Sequence, residues 1–258
     1  MYNYQSMIKG GVEAPRPNPE HFKKQVDIIH RYGLITSWKS AANVISAGIA
    51  FFQEYPTTKI EPGELLYSEG RDVGSIDLMF KGVVFRYRRD KNKSRYDGHI
   101  EDSVTLAGTE LLQGRERYDY TAQALTACYV NRAPLAKLQY EIERNGSLSA
   151  FVTSLDLLAK DRSNRKNSDQ KSQNTSQRIA DVILGLSQNG VPTNRVTQEM
   201  IGAIVGCDRV NVNKAIMRMQ AAGIIEWATG GPGARERFRV LAGEKEVLAQ
   251  VVSGDIKL

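Results

Sequence analysis

The stretch VTQEMIGAIVGCDRVNVNKAIMRM, residues 196–219, constrains this chain more than any other. Two short helical patterns meet there at a corner made of Gly206, Cys207 and Asp208. Thr197 has the side-chain oxygen an N-cap needs, and Ile201, Ile204 and Val205 give the first helix, Gln198 to Val205, its apolar face. Gly206 takes the positive φ of a tight turn at little cost. A second helix runs from Arg209 to Ala221, with Val212, Ala215, Ile216 and Met219 facing inward. Gly202 is small where that helix crosses closely. A buried helical hairpin would need the apolar spacing, but not these two glycines or the polar run after them. A small residue, a turn glycine and a β-branched residue spaced four and then six apart predict a helix-turn-helix.

In that motif the second helix lies in the major groove of DNA. Arg209, Asn211, Asn213 and Lys214 crowd its opening turns, with Val210 among them. Arg pairs bidentately with guanine, and Asn with adenine. Thr197 and Gln198, at the start of the first helix, complete the expected contact set. The following GIIEWATGGPGARERFRV reads as a two-stranded ribbon around a glycine-rich tip, with Arg235, Arg237 and Arg239 on the return strand. Such a wing touches phosphates and adds affinity without sequence information. Residues 159–240 hold 13 Lys and Arg against 7 Asp and Glu, which accounts for the whole net charge of +6. A basic third on a near-neutral body suits a polyanion; a solvated basic face is the plain alternative.

The rest of the chain sets the frame. Its 258 residues, 41% hydrophobic and 25% charged, suit one large globular domain or two modest ones. No apolar run approaches the roughly 20 residues that span a bilayer, and MYNYQSMIKGGVEAPRPNP lacks a signal-peptide core. Cys128 and Cys207 stand alone and far apart, against a disulfide framework or a cysteine-held cluster. The chain reads as cytoplasmic, with no membrane partner.

Residues 1–19 read as a mobile tail, followed by helices in HFKKQVDIIHRYGL and KSAANVISAGIAFF. From Thr58 to Asn131 the texture changes to short β-rich runs broken by Gly and Asp, which predict a compact barrel or roll. APLAKLQYEIERNG is a short helix with Pro134 near its first turn. In SLSAFVTSLDLLAKDRSNRKNSDQKSQ, Leu148, Phe151, Val152, Leu155 and Leu158 recur at three- and four-residue steps, the stripe of a packed helix. No apolar residue follows from Lys160 to Gln177, which is either the solvated half of that helix or a linker. SQRIADVILGLSQNG is helical again, ended by Gly190 and Pro192.

From Lys59 to Val240 the chain resembles the Crp–Fnr family of bacterial transcription regulators. KIEPGELLYSEG and SIDLMFKGVVFRY, with Gly63, Gly70 and Gly82, look like the opening strands of its cyclic-nucleotide-binding-type β-roll, and TACYVNRAPLAKL like the closing strand and short helix. The helix-turn-helix is the most specific match. The resemblance implies an α+β chain: a jelly-roll-like sensor domain with N-terminal helices over 20–145, a dimerisation helix over 146–172, and a winged helix-turn-helix over 173–258. It implies a homodimer seam at Leu148, Phe151, Val152, Leu155 and Leu158, duplex DNA as ligand and RNA polymerase as partner. Arg209 occupies the position of the family's guanine-reading arginine, Lys214 that of a second basic residue, and Thr197 that of a phosphate contact. Val210 sits where many members carry a base-reading Glu, so the usual half-site does not carry over.

The sensor segment departs further. AGTELLQGRERYDY places Gly108, Thr109, Glu110, Arg115 and Arg117 where cyclic-AMP-binding members hold the phosphate, but Tyr118 and Asp119 replace the expected serine. A carboxylate there repels a phosphate. Ser163 and Asn164 on the polar helix half are further candidates for an anionic effector. Two cysteines are too few for the family's iron–sulfur cluster, and His21, His30 and His99 have no metal-ligand spacing to suggest haem. The sequence has no Walker loop, nucleophile elbow or paired metal ligands, so no catalytic residue or metal site is assigned and an enzyme is not expected. The expectation is a sequence-specific homodimeric regulator under an unidentified small molecule, or under none; the rival is a nucleotide-sensing module acting through protein partners.

Overall fold

The computed structural model describes residues 38–256 apart from 90–95, 103, 111–113, 192–194, 229–236 and 241–244, and in places, residues 161–172 and 237–240 among them, the backbone alone. The expected tail, the first expected helix and Arg235 lie outside these residues.

Helix α1 (Trp38–Gln53) leads into eight strands: β1 (Thr57–Ile60), β2 (Leu65–Tyr67), β3 (Ser75–Lys81), β4 (Val83–Arg89), β5 (Tyr96–Asp102), β6 (Thr105–Ala107), β7 (Thr121–Ala124) and β8 (Cys128–Pro134). They form two four-stranded antiparallel sheets, ordered β1-β8-β3-β6 and β2-β7-β4-β5, so the expected roll is present. Leu66, Tyr67, Met79, Val84, Ala122 and Val130 are buried between the sheets.

Helix α2 (Leu135–Arg144) starts directly after Pro134, and α3 runs unbroken over Gly146–Ser172. Asn145 caps α3, its side chain accepting from the N–H groups of Ser147 and Leu148. The polar run after Lys160 is therefore the continuation of a long helix up to Ser172.

The apolar stripe of α3 has a different partner from the expected one. Leu148, Phe151, Val152, Leu155 and Leu158 are 1–5% exposed within a single chain and share a core with Val44, Ile45 and Phe52 of α1 and Ile76 and Leu78 of β3. Gly48 lets α1 come so close that a Cβ there would overlap the Phe151 ring. Apolar spacing reports that a helix face is buried, not what buries it. These five side chains are buried within their own protomer, which leaves them little surface to offer a second copy.

The C-terminal unit comprises α4 (Thr175–Gln188), α5 (Gln198–Val205), α6 (Arg209–Ala221), the ribbon β9 (Ile225–Ala228) and β10 (Arg237–Val240), and α7 (Lys245–Ser253). Ile179, Ile183 and Leu186 of α4 pack with Ile201, Ile216, Leu248 and Val251. That core continues into Val83, Phe85 and Leu125 of the roll, so α5 lies against β5. No helix among the described residues is long and apolar enough to cross a membrane.

Candidate nucleic-acid interface and sensor cavity

The corner between α5 and α6 closes through local chemistry. Thr197 caps α5, its hydroxyl oxygen accepting from the Met200 N–H at 3.1 Å. Gly206 ends the helix at φ 74°, the left-handed conformation glycine adopts most cheaply. Its N–H and that of Cys207 both donate to the Gly202 carbonyl, at 2.8 and 3.0 Å. A Cβ on Gly202 would lie 2.8 Å from the Cys207 carbonyl oxygen, which is why this position is small. Asp208 then caps α6, accepting from the Asn211 N–H at 2.8 Å. Arg178 of α4 donates to the Val205 carbonyl at 2.8 Å and ties the corner to the domain core.

Val212, Ala215, Ile216 and Met219 seat α6 on that core. The opposite face carries Arg209, Val210, Asn211, Asn213 and Lys214, all exposed, so the sequence places them together as expected. Thr197 is exposed at the neighbouring helix start, and a hydroxyl that accepts a cap bond still has its proton to donate to a phosphate. In the ribbon, Arg237 stands opposite Ala228 and Arg239 opposite Glu226.

Gln198 is a correction. It is 3% exposed and cannot reach a groove. Its amide oxygen accepts from Arg209 Nε at 3.2 Å, and its amide nitrogen donates to Asn213 Oδ1 at 3.4 Å. Glu199 adds an ion pair to Arg209 at 3.3 Å. Gln198 thus holds two expected base-contacting side chains from behind. Sequence placed it on the right helix but could not see that its amide is turned toward α6.

The second site is a cavity of about 440 Å³ in the roll, where α3 crosses the sheets. Thr109, Glu110 and Arg115 line it together with Arg86, Glu101, Asp119, Asp156 and Lys160. Gly108 shapes the turn before it, at φ 86°. Arg117 does not belong: it is exposed and pairs with Asp72 at 3.3 Å. Tyr118 is also absent, buried and stacked on Tyr67 at 4.2 Å. Ser163 and Asn164 lie on α3 where the backbone alone is described.

Arg86 organises the cavity, and no motif around it marks that role. Its guanidinium meets Glu101 at 2.8 Å and Glu110 at 2.9 Å. Burial works against the charge on Arg86, but the two carboxylates outweigh it and hold the guanidinium protonated above its ordinary range. Burial alone would raise Glu101; Arg86 and His99 beside it instead lower its carboxyl to about 2. The other cations are paired too: Arg88 with Asp97, Arg115 with Asp119, Lys160 with Asp156. Burial pushes the Cys128 thiol up to about 11, and among the described residues no group of three His, Cys, Asp or Glu is arranged to hold a metal.

Comparison with known proteins agrees with this geometry. Residues 177–240 match the Crp-like helix-turn-helix domain. The fold is similar to that of TTHB099, a CRP-family transcriptional regulator from Thermus thermophilus, at 19% identity and a TM-score of 0.60 over 76% of this chain and 96% of that one. It is also similar to FixK2 from Bradyrhizobium japonicum, at 15% identity and 0.55 over 76% and 96%. A third similar structure is the c-di-GMP-responsive global regulator CLP of Xanthomonas campestris, at 16% and 0.57 over 73% and 96%. At these identities the structures speak for the fold. No protein of curated function matches the chain in sequence.

Proposed function

We infer how this chain works from one premise: it belongs to the Crp–Fnr family of DNA-binding transcription regulators. It binds a roughly palindromic duplex site as a homodimer, with α6 of each copy in adjacent major grooves, because one helix-turn-helix reads a half-site. The observation that carries this is the α5–α6 corner. Its two glycines and two caps hold Arg209, Asn211, Asn213 and Lys214 outward on one helix start. Arg209 and Asn213 read bases, Thr197 contacts phosphate, and the ribbon arginines Arg235 and Arg237 supply further phosphate contacts.

A dimer seam on α3 is supported by the exposed Thr153, flanked at three- and four-residue steps by Ala150 and Leu157, which pack on the protomer's own core but stay half-exposed. A small-molecule effector, where one acts, occupies the roll cavity beside Glu110 and Arg115. Cyclic AMP is not that molecule, because its phosphate would have to displace the carboxylate already held by each cation of the cavity. Haem and an iron–sulfur cluster stay outside the proposal, because the chain has two cysteines far apart in sequence and three histidines without metal-ligand spacing, and no catalytic role is assigned.

Selection of bound duplexes from a random pool, followed by salt titration on the selected site, tests this. A pseudo-palindrome whose affinity falls steeply with salt is expected. Failure to select any sequence, or a flat salt response, would refute it. Transcription in vitro with RNA polymerase on that site then reads activation or repression.

A further inference from the structure

Two of the four large apolar side chains exposed among the described residues lie on α6: Val210, 62% exposed, and Met217, 60% exposed. They are seven residues apart, two helical turns, and so share the outward face with Asn213 between them. Single exposed hydrophobics are ordinary. Val210 is not ordinary for its place. It is the second residue of α6, directly after Arg209, where a carboxylate would gain from the helix dipole and a straight-chain residue from propensity. Valine offers neither, and at 62% exposure it buries little on its own protomer. Among the described residues, most of this side chain is left uncovered.

We propose that Val210 is a specificity-determining residue that reads a thymine through its C5-methyl group. The proposal rests on α6 being the recognition helix. The first turn of such a helix meets base edges, and the major groove displays one apolar group, the thymine methyl. A branched aliphatic side chain has no hydrogen bond to offer there, so contact with that methyl is the discrimination available to it. Each half-site then carries a T·A pair next to the base pair that Arg209 contacts. Met217, about 10 Å further along the axis, lies beyond the turn that enters the groove.

The test uses the full chain and the duplex it selects from a random pool. Each thymine is replaced in turn by deoxyuridine, which removes the methyl and leaves every hydrogen-bonding group in place. One thymine per half-site should respond, with affinity falling about fourfold for one methyl and about fifteenfold when both half-sites are changed. Val210→Ala should bind the two duplexes nearly alike, Met217→Ala should keep the full methyl effect, and Val210→Glu should shift selection at that position toward C·G, because a carboxylate accepts from cytosine N4. A selected site in which no thymine responds, or a response that persists in Val210→Ala or moves with Met217→Ala, overturns the proposal while leaving α6 as the recognition helix. Failure to select any sequence removes that reading, and the proposal with it.

Discussion

Glu101→Gln keeps the shape of the side chain and removes its charge, so it measures how firmly Arg86 is held in the cavity. In the folded chain the carboxyl titrates at about 2 instead of 4.5, because Arg86 at 2.8 Å and His99 at 3.3 Å outweigh the cost of burial. Each pKa unit is worth about 1.4 kcal/mol, so the ionised form contributes about 3 kcal/mol to stability. A depressed folded-state pKa gives stability that is complete above the unfolded value and is lost as pH falls toward the folded one. Between about pH 6 and pH 3 the wild type should lose about 2 kcal/mol from this group alone.

Urea unfolding of the wild type and Glu101→Gln across that range is the assay. The wild type should be more stable by about 3 kcal/mol near pH 6, the gap closing to about 1 kcal/mol near pH 3. A gap that stays constant with pH would mean that Glu101 is not ionised against Arg86. Arg86 would then be held by Glu110 alone, and the argument against a phosphate ligand would lose one of the two carboxylates it rests on.

Arg209→Ala should cost about 1–3 kcal/mol of discrimination for the selected site over random duplex, whereas Arg237→Ala should weaken all sequences alike and lower the salt slope by about one unit; competition binding at several salt concentrations separates the two. Gly202→Ala should destabilise the C-terminal unit by about 1–3 kcal/mol, since its Cβ meets a backbone oxygen that cannot swing aside, and a melting temperature equal to that of the wild type would contradict the crossing described for α5 and α6. Leu155→Asp should unfold the sensor core, being 4% exposed in a single chain, while Thr153→Arg should leave circular dichroism intact and shift sedimentation from dimer to monomer; the reverse pattern would restore the stripe to the seam. Calorimetry should register no micromolar binding of cyclic AMP, and tight binding coupled to higher operator affinity would refute the paired-cation argument.

The helix-turn-helix was legible because its constraints are local. A cap, a left-handed glycine and a small residue at a crossing are each decided within a dozen residues, and all appear where the spacing put them. Helix α7 was equally legible and was missed: Leu248, Val251 and Val252 have helical spacing and pack on the C-terminal core. Arg86 was not legible. Along β4 the alternation of Phe85 and Tyr87 with Arg86 and Arg88 reads as an apolar inner face and a charged outer one. In the fold the aromatic face packs against the C-terminal unit, while the arginine face lines the cavity. A strand covered on both sides defeats the two-period reading, because nothing in its own sequence says that a second layer is coming.

Helix α3 shows the same ambiguity in a form that bears on control. Its stripe, Leu148 to Leu158, looked like a seam because a helix packed on its own core and one packed on a second copy bury the same kind of face. With that face committed inward, the other two sides of the helix take separate roles. Asp156 and Lys160 line the cavity, paired at 2.6 Å, and the exposed Thr153 faces the proposed partner. Any molecule entering the cavity and competing for Asp156 or Lys160 therefore acts on α3 within one turn of the seam, and α3 leads at Ser172 directly into α4 of the DNA-binding unit. The coupling needs no long pathway. It needs a helix whose inner face is fixed well enough by Leu148, Phe151 and Leu155 that a change at Asp156 moves the helix as a body and does not merely rotate a side chain.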